Sequence, residues 1–106
     1  MSLGICVIKG LKVISYGRNN EVTIGDFARI RNSTIILHGS HNKITINDLA
    51  NLNQVEFYVE NDNNEISIGH NTTLWGKTHL AAIEGTKILI GNDCLFSSDL
   101  HFRTGD

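Results

Sequence analysis

Five histidines are the side chains of this sequence best suited to move a proton near neutral pH. Two of them, His79 and His101, occupy equivalent positions of a repeat, and Trp75, Glu84 and Arg103 lie near them in the chain. A positioned neutral imidazole accepts the proton of a hydroxyl group as that group attacks. We therefore expect the two histidines to be candidate catalytic bases and the other three residues to bind substrate, with a solvated or subunit-facing surface as the alternative.

The remaining histidines fit surface positions. His38 and His41 belong to the polar stretch LHGSHN, where a solvated loop is the simpler interpretation. His70 takes a turn position that other parts of the chain fill with Asp or Asn. We expect none of these three histidines to act in catalysis.

A repeat with a 22-residue period positions all of these side chains. The segment NEISIGHN from Asn64 recurs as NEVTIGDF from Asn20, NKITINDL from Asn42 and TKILIGND from Thr86. A fixed period of this length is typical of arrays in which each unit stacks on the next. Because β-branched residues favour strands and Gly and Asn suit tight turns, the repeat predicts an all-β array of nearly five coils.

Aliphatic anchors mark the strands within each repeat. Anchors two residues apart share one face of a strand, and later anchors follow at intervals of six, six and ten residues. These spacings predict inward-facing columns of apolar side chains. The columns are Ile24, Ile46, Ile68 and Ile90; Ile30, Leu52, Leu74 and Phe96; and Ile36, Tyr58, Leu80 and Phe102.

The third column fixes where the two candidate histidines should lie. His79 and His101 each precede an anchor, so alternation along the strand places them on the outer surface. The repeat aligns them with Ile35 and Phe57. We expect two imidazoles stacked on one flat outer face.

Glu56 does not fit this alignment. The equivalent positions of the other repeats hold residues without charge, namely Thr34, Thr78 and Leu100. An extra residue in one strand of a pair displaces the pairing locally. The sequence therefore predicts a shift or bulge between Gln54 and Tyr58.

Corner positions carry small side chains or Asn. One column, whose Gly and Asn suit φ > 0, is Gly25, Asn47, Gly69 and Gly91. Another small column is Cys6, Ala28, Ala50, Thr72 and Cys94. Four coils at ~4.8 Å each separate the two cysteines by roughly 19 Å, whereas a disulfide needs Cα atoms within about 7 Å. Both cysteines are therefore expected to be reduced packing residues.

Length and composition limit the remaining possibilities. A chain of 106 residues, 41% hydrophobic and 19% charged, fits one globular domain over residues 1–106. The net charge of −2 gives no electrostatic reason to expect a nucleic acid or an anionic membrane as partner. The sequence shows no 18-residue apolar run and no leader-like segment, so we expect no membrane span or secretory signal, and a cytoplasmic location is compatible.

The segments IGDFARI, INDLANL, IGHNTTL and IGNDCLF resemble the hexapeptide repeat of left-handed parallel β-helix proteins. Three hexapeptides form one triangular coil in that family, so four residues of each repeat here would form a corner loop. Residues 87–106, KILIGNDCLFSSDLHFRTGD, more narrowly resemble bacterial polysaccharide O-acetyltransferases, in which an IG-(D/N)-x-C-x-F-S run leads into an R-T-x-D box. The resemblance implies a left-handed parallel β-helix of nearly five coils.

The same resemblance implies a function. It implies transfer of an acetyl group from acetyl-CoA to a sugar or polysaccharide hydroxyl, in homo-trimers whose active sites lie between subunits. Arg103 and Asp106 occupy the R-T-x-D box and are expected to contact substrate. The presumed base of the family follows this box, where the present sequence ends. His79 and His101 are therefore the residues of this sequence that could serve as the base instead. Related carbonic anhydrases bind metal through histidines, but no third ligand has a persuasive spacing here, and no metal is expected.

Two classes of function remain open on the sequence. One is an acetyltransferase with an incomplete active site, and the other is a non-catalytic β-helix scaffold for self-association or glycan binding. The sequence begins and ends in mid-coil without a polar cap, which predicts an excerpt of a longer protein and a homo-trimer packed through flat faces. Retention of acetyl-CoA would separate the two classes.

Overall fold

The computed structural model describes residues 2–97 and 100–104, and its regular secondary structure in that part of the chain consists of parallel β-strands joined by turns. Strands of four residues alternate with strands of nine to eleven residues through most of the chain. In the described residues no helix is long and apolar enough to cross a membrane. The strands are β1 (Ser2–Leu3), β2 (Val7–Ser15), β3 (Glu21–Ile24), β4 (Arg29–His38), β5 (Lys43–Ile46), β6 (Asn51–Glu60), β7 (Glu65–Ile68), β8 (Thr73–Ile83), β9 (Lys87–Ile90), β10 (Leu95–Phe96) and β11 (Leu100–Thr104).

Each strand pairs with the strand one coil away rather than with its neighbour in sequence. The short strands form a sheet in the order β1-β3-β5-β7-β9, and the long strands form a sheet in the order β10-β8-β6-β4-β2, with β11 also paired to β8. Glu21 lies opposite Lys43, and Lys43 lies opposite Glu65, so each step is one repeat. The predicted all-β solenoid of about five turns with a 22-residue period is confirmed.

Each long strand turns a corner within its length. The turning residues have left-handed backbone conformations and share one position of the repeat: Gly10, Asn32, Gln54 and Gly76. The inter-coil pairing continues on both sides of this corner. A coil therefore has three sides, formed by a short strand, the first segment of a long strand and the second segment of that strand.

The core fills the interior of the coils with stacked aliphatic side chains. The first two predicted anchor columns are buried across the middle coils, with Ile46, Ile68, Leu52 and Leu74 at 0% exposure. The third column is different from the prediction. Its buried members are Ile35, Phe57 and Leu80, with Phe102 packed partly against the core. Ile36 and Tyr58, which were expected inside, are only half-buried and lie on the outer side.

In β4 and β6 the third-column anchors are Ile35 and Phe57, five residues after Ile30 and Leu52 rather than six. One extra residue in β8 puts Leu80 six residues after Leu74. Asn53 lies opposite Trp75, but Val55 already lies opposite Thr78, so the register shifts between these pairs. The predicted irregularity near Glu56 is confirmed, although the added residue belongs to β8 and not to β6. The turn between β8 and β9 is correspondingly short, and Glu65 again lies opposite Lys87.

An asparagine ladder holds the corner that precedes each short strand. The backbone N–H of Asn42 donates to Asn20 Oδ1 at 3.0 Å, and that of Asn64 donates to Asn42 Oδ1 at 2.8 Å. The backbone N–H of Thr86 continues the ladder by donating to Asn64 Oδ1 at 2.9 Å. Asn42 and Asn64 are both 1% exposed, so these bonds satisfy buried polar groups along the solenoid.

The glycine column at the opposite corner serves close approach and not a left-handed backbone. The left-handed residues there are Phe27, Leu49, Asn71 and Asp93, and the predicted positions have ordinary φ. A Cβ on Gly25 would collide with Asp48 of the next coil, whose backbone N would be only 2.7 Å away. Both cysteines are free thiols, as predicted, and pack partly against the core.

Candidate functional site

The outer face formed by the second segments of the long strands carries the candidate histidines. His79 lies opposite His101 on β11, so the two imidazoles are neighbours in one outer column as predicted, with ring centroids 5.9 Å apart and ring planes tilted by 45°. The rest of their column differs from the prediction. On the other side His79 lies opposite Glu56, and Glu56 lies opposite Thr34.

His79 and Glu56 form a direct pair. The Nδ1 atom of His79 lies 2.8 Å from Oε1 of Glu56, and the two side chains are 36% and 49% exposed. A carboxylate at this distance accepts the Nδ1 proton of a neutral imidazole and so leaves the Nε2 lone pair available. The pair therefore has the arrangement of a general base oriented by a carboxylate.

The extra residue in β8 creates this pair. With an unbroken 22-residue repeat, Glu56 would lie opposite Thr78 and the imidazole would face the column of Phe57. Because side chains alternate along a strand, a shift of one residue exchanges the inner and outer sets. The added residue thus moves Thr78 into the interior, where it is 3% exposed, and His79 onto the surface beside the carboxylate.

A groove of about 620 Å³ lies beside the pair on the same face. One outward-facing column of this groove contains a small side chain between two large ones, because Ala81 lies opposite Tyr58 on one neighbouring strand and Arg103 on the other. The lining combines apolar groups with a few polar ones, which is the usual character of a small-molecule site. The lining residues are Ile36, Glu56, Tyr58, His79, Ala81, Ile83, His101 and Arg103.

Tyr58 forms one wall of the groove and is tied to its own strand. Its hydroxyl donates to Oε1 of Glu60 at 3.0 Å. Partial burial raises the pKa of the Tyr58 phenol, and the hydrogen bond and negative charge of Glu60 raise it further, while the nearby Arg103 charge opposes them. The phenol therefore remains protonated at neutral pH.

The predicted substrate-binding residues have different positions. Arg103 lines the groove, as its place in the histidine cluster suggested. Trp75 lies before the corner at Gly76, on the adjacent side of the coil, and is 42% exposed. Glu84 lies in the turn after β8, where its backbone N–H donates to the Glu60 carbonyl at 3.3 Å. Asp106 lies outside the described residues.

Sequence reasoning missed Glu56 and Tyr58 as members of the site. Glu56 did give a signal, because its charge is out of place in the repeat, but one such position does not indicate which strand has the extra residue. Tyr58 gave none, since the unbroken repeat placed it in the core. His38 is half-buried and stacks with Tyr16, with ring centroids 4.6 Å apart, while His41 and His70 are exposed.

A second groove, of about 520 Å³, lies at the corner between the short strands and the first segments of the long strands. Exposed apolar side chains of successive coils form its edge: Ile5, Phe27 and Leu49. Arg29, Asn51 and Thr73 add polar groups. Within the described residues no group of three or more His, Cys, Asp or Glu side chains is arranged to hold a metal ion.

Comparison with known proteins finds a similar structure but no similar sequence. No family model and no curated protein matches the chain. Among solved structures, the crystal structure of the polySia specific acetyltransferase NeuO superposes with a TM-score of 0.71 at 21% sequence identity. The match covers 92% of this chain and 54% of the NeuO chain. The chain thus has the left-handed parallel β-helix fold and spans about half the length of this neighbour.

Proposed function

We propose that this chain is the β-helix of an acetyl-CoA-dependent O-acetyltransferase that modifies a sugar or polysaccharide hydroxyl in the cytoplasm. The observation that carries the proposal is the His79–Glu56 pair at 2.8 Å, beside an open groove. The likeness in fold to an acetyltransferase supports the same class of reaction. A fold alone does not specify chemistry, so the pair and the groove carry the argument.

The base in this proposal is Nε2 of His79. It takes the proton of the acceptor hydroxyl as the oxygen attacks the thioester carbonyl, since a sugar hydroxyl does not ionise near pH 7. The carbon–oxygen bond forms, the carbon–sulfur bond breaks, and the proton passes from the imidazolium to the departing thiolate. Glu56 holds the ring orientation and stabilises the imidazolium.

His101 and Arg103 are the proposed partners of this base. The His101 ring is next to that of His79, and Arg103 follows on the same strand at the far side of the groove. Both are within the lining of the groove and are proposed to contact the acceptor. Trp75, Glu84 and Asp106 stay predictions for substrate contact outside it.

The corner groove is the proposed place for the pantetheine arm of the donor. Its apolar edge, with Phe27 and Leu49, suits an uncharged chain, and Arg29 suits phosphate. The two grooves are on different sides of a coil, separated by the corner at Gln54. We propose that the homo-trimer predicted from the sequence completes each site, with the corner of one copy against the long-strand face of another.

The test uses the purified chain with acetyl-CoA and a panel of oligosaccharides, and follows free thiol against a blank without acceptor. His79→Ala should lower acceptor-dependent turnover about 10² to 10⁴-fold, the usual contribution of a positioned base. Glu56→Gln should lower it less, and His41→Ala is the matched control at an exposed corner away from both grooves. Turnover that survives His79→Ala unchanged, or that appears only when the chain is extended to a later histidine, would refute His79 as the base.

The non-catalytic scaffold is the second candidate, favoured by the exposed apolar row at the corner groove. A scaffold would not retain acetyl-CoA. A melting shift produced by acetyl-CoA and by CoA, but not by a nucleotide control, would support the enzyme over the scaffold. Light scattering at micromolar concentration tests the trimer, and a monodisperse monomer would contradict it.

A further inference from the structure

The outer column of Glu56, His79 and His101 lies between two grooves and lines both of them. The groove away from the corner is the one that contains Tyr58 and Arg103. The groove toward the corner, here called the bulge groove, has a volume of about 290 Å³. A base at His79 therefore has space for one reactant on each side of its ring. The bulge groove is completed by Gln54, Lys77 and Thr78.

The extra residue in β8 shapes the bulge groove. Gln54 of β6 faces both Gly76 and Lys77 of β8, because the register shifts at this point. The hydroxyl of Thr78 donates to the Gly76 carbonyl at 3.3 Å, so its proton is already in use. The side chains of Gln54 and Lys77 have no hydrogen-bond or ion-pair partner in the part of the chain that the structure describes. They are therefore the N–H donors that the groove offers to a ligand.

Gln54 has a backbone conformation that glutamine rarely adopts. Its φ is 61°, and the described residues at the same corner position of the other coils are Gly10, Asn32 and Gly76. Glycine adopts this left-handed conformation freely and asparagine visits it, whereas other side chains are strained there. A strained residue at the edge of a groove points to a use for its side chain. The side chain of Gln54 supplies amide N–H groups beside the two histidines.

Hydrogen-bond donors, and not an excess of positive charge, distinguish the bulge groove. Glu56 keeps its negative charge while it pairs with His79, and it lines the same groove as the ammonium group of Lys77. The groove therefore has no net charge that would attract a preformed anion. A thioester carbonyl oxygen is neutral until attack, and negative charge then develops on it. Donors fixed at that point stabilise the developing charge.

We propose that the bulge groove binds the acetyl group of the donor and that Gln54 and Lys77 form the oxyanion hole. This inference rests on the proposed function and assigns two further residues to its reaction. As the acceptor oxygen bonds to the carbonyl carbon, the carbonyl oxygen takes up an electron pair and is held by the side-chain N–H groups. The electron pair returns when the carbon–sulfur bond breaks, and His79 carries the proton from the hydroxyl to the thiolate. The acceptor approaches from the groove on the other side of the imidazoles.

The first experiment measures transfer by the whole chain with Gln54→Gly, which removes the donor and relaxes the backbone at the same position. We expect kcat to fall about 10²- to 10³-fold, the usual effect of losing an oxyanion donor, with the acceptor KM unchanged. The melting temperature should not fall, because glycine suits this conformation. A merely structural role would instead lower activity and stability together.

Two further variants sharpen this experiment. Lys77→Met keeps the aliphatic stem without the donors and should also lower kcat. Asn32→Gly is the matched control, because it makes the same exchange at the equivalent corner one coil away and should leave kcat unchanged. A kcat that is insensitive to Gln54→Gly and Lys77→Met but lost in His79→Ala would overturn the oxyanion hole and leave the proposed function standing.

The second experiment measures binding without an acceptor, so it does not depend on turnover. Acetyl-CoA and CoA are titrated separately and followed by calorimetry. One hydrogen bond to the carbonyl should make acetyl-CoA bind about 3- to 10-fold more tightly than CoA. Gln54→Gly should remove this ratio, and Asn32→Gly should preserve it.

The binding results separate the inference from the proposed function. Absence of acetyl-CoA binding, equal affinities for acetyl-CoA and CoA, or a ratio that survives Gln54→Gly would overturn the inference. A ratio that depends on Gln54 in a chain that transfers no acetyl group would support the acetyl site and refute the proposed function.

Discussion

The short-strand side and the second-segment side of the same coils differ in how regularly their strands pair, and the candidate site lies on the less regular side. On the side of the short strands β3, β5, β7 and β9, every pair keeps the step of one repeat and every strand has four residues. Opposite charges face each other there, and Nζ of Lys87 lies 3.9 Å from Oε1 of Glu65. Regular pairing repeats the same side chains and makes a flat surface.

On the side formed by the second segments of the long strands, the pairing register shifts once, between β6 and β8. The extra residue in β8 changes which side chains face outward, and it brings Glu56 beside His79. The groove follows, because the same shift puts Ala81 between Tyr58 and Arg103. The site therefore arises from a departure from the repeat, and the repeat supplies the rigid support on both sides of it.

Truncation of a leucine on each side should give the largest difference between them. The shifted register of β8 puts Leu80 opposite Phe57, inside the coils and 0% exposed, whereas Leu89 on the regular strand β9 is 66% exposed. Loss of a fully buried leucine typically costs about 2 to 5 kcal/mol of unfolding free energy. We expect Leu80→Ala to lower the unfolding free energy by this amount in urea titrations.

The same substitution at Leu89 is the matched control. Leu89→Ala removes the same atoms from an exposed position, so it should change the unfolding free energy by less than about 0.5 kcal/mol. If β8 kept the regular 22-residue step from β6, Leu80 would lie opposite Tyr58, which the structure places on the outer side. If Leu80→Ala were as mild as Leu89→Ala, the shifted register of β8, and with it the outward position of His79, would be wrong.

Much of the fold could be predicted because the same pattern of apolar anchors and corner residues recurs in each repeat. The short-strand segment occurs four times with a constant spacing, which fixes the register of these strands. The isoleucines at equivalent positions of the segment are buried in each copy. The site could be predicted only in part. His79 and His101 were found because they are one repeat apart, but their partner Glu56 depends on a single insertion that appears once. An insertion that occurs once cannot be recognised by comparing repeats. Because it shifts the register by one residue, it also exchanges the inward and outward side chains of the segment that follows it.

The glycine corner offers a matched pair of substitutions with opposite expected signs. A Cβ on Gly69 would collide with the backbone of Gly91, whereas a Cβ on Gly91 would meet only Cys94 Sγ at 3.9 Å. Gly69→Ala should therefore lower the unfolding free energy by about 1 to 3 kcal/mol, the usual cost of overpacking. Gly91→Ala should raise it by about 0.4 to 1 kcal/mol through the lost freedom of the unfolded chain. Equal effects in denaturant titrations would contradict close stacking at this corner.

The smallest expected effect concerns Tyr58 and the dependence of stability on pH. Partial burial, helped by Glu60, raises the pKa of the phenol in the folded chain above its ordinary value near 10. Above that ordinary value the unfolded chain releases the proton while the folded chain still holds it, so the stability that Tyr58 contributes is complete below about pH 10 and decreases as the pH rises further. Since Tyr58→Phe removes the titrating group, the difference in unfolding free energy between the two proteins should be constant from pH 7 to 9.

Above pH 10 that difference should shift in favour of the phenylalanine variant. The two proteins differ only at residue 58, so the comparison isolates the contribution of Tyr58. Urea titrations at pH 8, 9, 10 and 10.5 measure the difference directly, and the Tyr58→Phe variant at pH 8 gives the baseline for the lost hydrogen bond to Glu60, about 1 kcal/mol or less at an exposed site. A difference that stays constant through pH 10.5 would show that folding does not raise the pKa of the Tyr58 phenol, contrary to the partial burial and the Glu60 contact described here.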